Sequence, residues 1–202
     1  MTDGADHLEV GVLGPFDARA AGRRIIIRGP TERAFLARLA IDGNRPVSTD
    51  RIISDLWGDR APRRPRQAIH ALVFRLRRAL GEMAPALETG DRGYSLMLAA
   101  DGLDLWRFEA LVGLGRRARA DGGLDAAARH LTEALALWRG DALTGLDDCP
   151  FVPSRARQLA ESRFETLVER IEIDLDRGLH ARLIPELEAL VLQRPTHEGL
   201  CR

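Results

Sequence analysis

Residues 60–81, RAPRRPRQAIHALVFRLRRALG, hold seven arginines and no acidic residue. On a wheel of 100° per residue, Leu72, Val73, Leu76, Ala79 and Leu80 fall within about 80° of Ile69. One apolar stripe of that width is what a helix packed against a core presents. Pro65 near the first helical position and Gly81 just past the end bracket the segment. The opposite side holds Gln67, His70, Ala71, Phe74, Arg75 and Arg78, with Arg66 and Arg77 flanking the stripe. A solvated helix face usually mixes signs, with acids placed four residues before bases. Here like charges such as Arg75 and Arg78 stand three apart and call for an anion. Phe74 is out of place on a face that meets only water; a thymine methyl or a sugar edge would give it an apolar contact. The segment can be a solvated face, a protein-docking face or a nucleic-acid-reading face, and its neighbours decide among these.

Before it, Leu8, Val10 and Val12 alternate with Glu9 and Gly11, the period of a strand. Gly14-Pro15 and Ala21-Gly22 mark turns, and the β-branched run RRIIIRG ends at Gly29, so a small antiparallel sheet is expected. The period then becomes helical. PTERAFLARLAIDG starts at Pro30 and Thr31, turns Phe35, Leu36, Leu39 and Ala40 to one face, and stops at Gly43. VSTDRIISDLWG is capped by Ser48 or Thr49, with Ile52, Ile53, Leu56 and Trp57 as its apolar face and Gly58 as its end. After the basic helix, ALETGDRGYSLML reads as a hairpin about TGDRG. Strands, three helices and a hairpin make a winged helix-turn-helix.

From residue 103 nothing reads as a strand. Helices are expected over 104–120, 124–138, 153–177 and 180–193, forming two αα-hairpins. Ala127, Leu131, Ala134, Leu135 and Trp138 form one stripe, in the manner of tetratricopeptide stacking. Pro195 stands where such a unit ends, and THEGLCR looks like a further helix that stops early, so a truncated array is expected. The fold class expected is mostly α with a small β component, in two domains, 8–99 and 103–202.

All thirty basic residues are Arg. That excludes a P-loop lysine, a Schiff-base lysine and a lysine general base, and it suits bidentate contact to phosphates or base edges. Residues 1–100 hold 16 Arg against 12 acids, and residues 101–202 hold 14 against 18. Net neutrality therefore hides a basic first half, the pattern of a chain with a polyanionic partner. The five His and two Cys make no metal-ligand spacing. GLGRRARADGG follows a helix rather than a strand, so it is no dinucleotide loop. His130 and His180 read as structural or exposed, and Cys149 as a small core filler. With no disulfide framework, no apolar run of roughly 18 residues and no secretory leader, a cytoplasmic protein is expected. No catalytic residue, cofactor, metal, membrane or small-molecule substrate is expected, and the chain does not read as an enzyme.

The residues ALVFRLRRALG, DLWG and RGYSL resemble the OmpR/PhoB-type winged helix. LDLWRFEALV, AARHLTEALALWRGDAL and LVERIEIDLDRGLHARLIPELEALV resemble the bacterial transcriptional activation domain. Together they resemble the AfsR/SARP-type activators and their EmbR-like relatives over about residues 8–200. The resemblance implies an activator that binds tandem direct repeats in double-stranded promoter DNA as head-to-tail protomers. It also implies recruitment of RNA polymerase through the sigma subunit, at secondary-metabolite genes such as those of antibiotic biosynthesis. By the same resemblance Pro65–Leu80 would enter the major groove. Gln67, His70, Ala71, Phe74, Arg75 and Arg78 would face bases or the groove wall, and Arg64, Arg66 and Arg77 would meet phosphates. Arg92 on the wing would reach the minor groove. Thr31, Arg33, Thr49 and Arg51, at helix starts, are candidate phosphate contacts. The loop carrying Trp57, Gly58, Asp59 and Arg60 would meet polymerase. Phe74 stands where relatives often carry a small polar residue, and Leu72 where they often carry His. The alternative is a helical-repeat interaction module whose winged helix docks protein rather than DNA.

Overall fold

The computed structural model describes residues 7–193. The alternating N-terminal segment forms β1 (Leu8–Gly11), β2 (Asp17–Ala20) and β3 (Arg23–Arg24) in an antiparallel meander. Leu8 pairs opposite Ala20, and Leu8, Val10 and Ala18 are buried. Ala21 and Gly22 close the second turn with φ of 49° and 71°. Two successive positive φ values match the twist of a tight hairpin. The β-branched run is shorter as a strand than its residues suggest. Ile25 N–H still reaches the Ala18 carbonyl at 2.7 Å, after which Ile27 turns into the core and Ile26 stays 71% exposed.

Helices α1 (Pro30–Asp42), α2 (Thr49–Trp57) and α3 (Pro65–Leu80) follow, then the hairpin β4 (Leu87–Gly90) and β5 (Gly93–Leu96). Phe35, Leu36, Leu39, Ile52, Ile69 and Leu76 have no exposed surface and form the centre of this core. Phe35 meets Tyr94 edge-on, with ring centroids 5.8 Å apart. Tyr94 and Val47 exchange backbone hydrogen bonds of 2.8 and 3.0 Å, which ties the wing to the α1–α2 turn. Gly93 is required there: its φ is +126°, and a Cβ would lie 2.0 Å from the Val47 carbonyl oxygen.

The helical half contains α4 (Asp104–Ala120), α5 (Leu124–Ala136), α6 (Val152–Asp176) and α7 (His180–Gln193). Packing divides the chain into two compact units. Among the described residues, one holds His7–Arg107 together with Trp138–Leu159; the other holds Phe108–Leu137 and Ala160–Gln193. The grouping sets Trp138–Leu159 with the N-terminal elements. Its cause is a set of bonds on the β1–β2 connection. The Asp104 carboxylate accepts from Val12 N–H at 2.8 Å and Leu13 N–H at 3.0 Å, and from Arg139 Nη2 at 3.0 Å. Arg139 N–H donates to the Leu13 carbonyl, and Leu143 N–H to that of Val12. Leu143 is held buried at φ +61°, a conformation unusual for a branched residue. These bonds fasten residues 138–152 as a strap, and Leu146, Cys149 and Val152 continue its buried edge. Isolated bridges pair Val10 with Leu103 and Pro15 with Thr144, so the helical half contributes extended backbone that the sequence reading did not expect.

In the second unit, Ala127, Leu131 and Ala134 are buried along α5, as expected. Trp138 does not continue their stripe: the helix ends at Ala136, and Trp138 is buried in the first unit. A Cβ on Gly115 would stand 2.6 Å from Leu131, so glycine lets α4 and α5 approach closely. Phe164, Ile171 and Leu183 pack with Leu167, Val168, Leu175 and Leu187 between α6 and α7. Arg119 pairs with Glu172 at 3.0 Å, and Arg177 with Asp125 at 2.6 Å. Residues 196–202, the expected helix start with Cys201, lie outside the described residues. Among the described residues no helix is long and apolar enough to cross a membrane, and no His, Cys, Asp and Glu group could hold a metal ion.

Candidate nucleic-acid interface

α3 divides as its wheel requires. Ile69, Leu72, Val73, Leu76 and Leu80 are buried, while Gln67, His70, Ala71, Phe74, Arg75 and Arg78 are exposed. Ala79 is the exception: expected in the stripe, it is exposed, because its methyl lies at the stripe's edge in the last turn. Gly81, at φ +58°, donates to the Arg77 carbonyl and ends the helix. Phe74 is 64% exposed.

The arginines, equivalent on a wheel, differ in the structure. Arg66 Nη2 meets Asp50 of α2 at 2.7 Å, both side chains well exposed. Arg75 Nε donates to Glu32 Oε1 at 2.5 Å. Arg77 Nη2 donates to the Leu87 carbonyl at 2.8 Å and to Thr89 Oγ1 at 3.0 Å, so this half-buried side chain holds β4. Arg64, Arg78 and Arg92 are exposed and carry no ion pair among the described residues. Arg92 lies in the turn between β4 and β5. Truncating Arg77 to alanine is expected to cost about 1–2 kcal/mol, the worth of two modest hydrogen bonds. Faster amide exchange confined to the β4–β5 hairpin checks this; unchanged exchange would show that the wing does not depend on Arg77.

At the helix starts, Thr31 and Thr49 are half-buried. Arg33 is half-buried as well, and its Nε is enclosed without a partner. Ser48, not Thr49, caps α2, accepting from Arg51 N–H at 3.2 Å. The Arg51 side chain turns along its own helix to Asp55 at 3.1 Å. The sequence reading missed Arg38, which is 6% exposed and joins Asp42 at 2.9 Å to Asp55 at 2.5 Å, locking α1 to α2. Burial lowers its pKa, but the hydrogen bonds to the two carboxylates outweigh that and raise it overall. Its i,i+4 partner Asp42 was a signal in the sequence; Asp55 was not.

Trp57 leads into a 3-10 turn, Gly58–Arg60. Trp57 and Gly58 are half-buried, and Asp59 and Arg60 are exposed. The strap braces this loop: Arg60 Nη2 donates to the Asp148 carbonyl at 3.1 Å, and Phe151 N–H to that of Asp55 at 3.2 Å. Cys149, between them, is buried, and burial pushes its thiol pKa up, the condition of an inert filler.

Residues 22–96 match the family described as transcriptional regulatory protein, C terminal, and residues 103–202 match the bacterial transcriptional activator domain. The regulatory protein DnrI of Streptomyces peucetius is 31% identical over 202 residues, covering 96% of this chain and 74% of that protein. The regulatory protein AfsR of Streptomyces coelicolor is 35% identical over 96% of this chain and 19% of its own length. The transcriptional regulatory protein EmbR of Mycobacterium tuberculosis is 36% identical over 96% of this chain and 51% of its own, so the chain spans about half of EmbR. A solved structure of Mycobacterium tuberculosis EmbR, in complex with a low-affinity phosphopeptide, superposes with a TM-score of 0.91, covering 96% of this chain and 52% of that one. With both modules matched in the same order, the chain belongs to the SARP family of bacterial transcriptional regulators, which join an OmpR-type winged helix to a bacterial transcriptional activator domain.

Proposed function

We propose that this chain is a sequence-specific transcription activator that sets α3 in the major groove of promoter DNA. The observation that carries the reading is the outward face of α3: cationic, without an acid of its own, and bearing exposed Phe74 and the unpaired Arg78. Arg64 at the start of the helix supplies a phosphate contact, Arg66 does so by exchanging the exposed Asp50 for a phosphate, and Arg92 on the wing reaches the adjacent minor groove. Protomers bind head-to-tail on direct repeats about one DNA turn apart, so each α3 meets the same side of the duplex. The turn carrying Trp57, Gly58, Asp59 and Arg60 meets RNA polymerase and its sigma subunit, a role supported by its exposed charges and by the brace that fixes it. The family resemblance points to secondary-metabolite genes as targets, in the cytoplasm.

Site selection from random duplexes, followed by salt titration, tests the reading. With about five phosphates neutralised per protomer, log K is expected to fall against log salt with a slope near −4 to −5. Salt-resistant binding to a protein partner, with no DNA shift at low salt, would replace this reading by that of an interaction module.

A further inference from the structure

We infer that Glu32 of α1 is a positioning residue for base recognition: it holds Arg75 so that the free edge of the guanidinium reads a guanine. This rests on the DNA-binding reading above.

Glu32 lies in the first turn of α1, where the positive end of the helix favours a carboxylate. Its side chain is only 13% exposed, whereas that of Arg75 is 54% exposed. The carboxylate folds back over Gly29, where a Cβ would stand 1.7 Å from Glu32 Oε2, so the missing side chain at position 29 makes room for it. Thus the acid is fixed and the base is available. Glu32 occupies Nε of Arg75, and among the described residues neither Nη nitrogen has a partner. Two parallel N–H donors remain, the fork that matches O6 and N7 of guanine. Ala71, one turn earlier on the same side of the helix, carries only a methyl and is exposed.

The charge of the pair separates two uses of Arg75. A carboxylate at 2.5 Å from Nε cancels much of the attraction for a phosphate and repels it directly. A guanine edge is neutral, is not repelled, and gains from an arginine whose large rotamer freedom is already restricted. A buttressed arginine is therefore suited to a base and unsuited to the backbone. Arg78, with no acid beside it, keeps its full charge.

The test selects sites from random duplexes with the wild type, Glu32→Ala, Glu32→Gln, Glu32→Asp and Arg75→Ala. It then replaces each enriched guanine in turn by 7-deazaguanine, which lacks the N7 acceptor. One replacement is expected to weaken wild-type binding about tenfold. Glu32→Ala and Arg75→Ala should be indifferent to that replacement, and Glu32→Ala should keep an unchanged salt slope. Glu32→Gln still offers an oxygen to Nε and should keep most of the preference. A Glu32→Ala variant that retains the guanine preference overturns the assignment. So does one that binds every duplex more tightly with a slope steeper by about one, because Glu32 would then only screen a phosphate contact. If Glu32→Ala does not fold, Glu32→Asp decides: one methylene shorter, its carboxylate falls short of Nε, and an undiminished preference overturns the proposal. A wild type that enriches no site even at low salt overturns the DNA reading, and this assignment with it.

Discussion

Changing Arg75 and Arg78 together to alanine is expected to lower affinity for a selected promoter site by between about 30-fold and 20,000-fold. Each arginine that reads a base is worth a factor of roughly 5 to 150, and the two act at neighbouring positions, so simple multiplication gives the outer bound. Among the described residues Arg78 has no partner, and its loss should leave stability unchanged. Arg75 leaves the Glu32 carboxylate behind, largely buried and unpaired, at a cost of about 1–2 kcal/mol. The fold survives that, so binding and stability separate cleanly. Fluorescence anisotropy at fixed salt, beside a melting curve, gives both numbers. Unchanged affinity in a folded double variant would remove α3 from the interface.

That experiment also bears on what a sequence can disclose. The division of α3 into a core side and a solvent side was legible because it depends on 3.6-residue periodicity alone. The same holds for the helix stops at Gly43, Gly58 and Gly81, all of which have positive φ. The wheel also implied that neighbouring arginines need an anion, and the structure shows that this is half true. Glu32 supplies one for Arg75, from 43 residues away, and Arg78 has none among the described residues. No local period connects Glu32 to Arg75, so the buttress was out of reach. Arg77 escaped for a similar reason: its partners are a backbone carbonyl and a threonine of the wing, which charge patterning does not register. Trp138 failed in the opposite way. Its spacing extended the α5 stripe, but Leu137 caps the helix, and the large indole is buried with the strap instead. A period describes a helix only while the chain remains helical.

The strap is the feature least visible in the sequence, and Asp104 is where it is most vulnerable. Asp104→Ala is expected to destabilise the protein by about 3 kcal/mol. The carboxylate is 12% exposed and accepts from two backbone N–H groups, on Val12 and Leu13, neither of which has solvent access. Water cannot replace the lost acceptor, so both donors stay unsatisfied, and Arg139 loses its ion pair while keeping the Pro15 carbonyl. For a chain of this size that corresponds to a fall of roughly 6–12 °C in melting temperature. Asp104→Asn retains one acceptor oxygen and should fall less. The functional consequence is indirect. Arg139 and Leu143 begin the strap whose later residues brace the Gly58–Arg60 turn, so loosening its start should weaken promoter activation before it weakens DNA binding. Below its melting temperature the variant should therefore shift promoter DNA normally and yet stimulate transcription poorly. If Asp104→Ala melts with the wild type, the bonds on the β1–β2 connection contribute little. The strap would then be held by the burial of Leu143, Leu146 and Val152 alone.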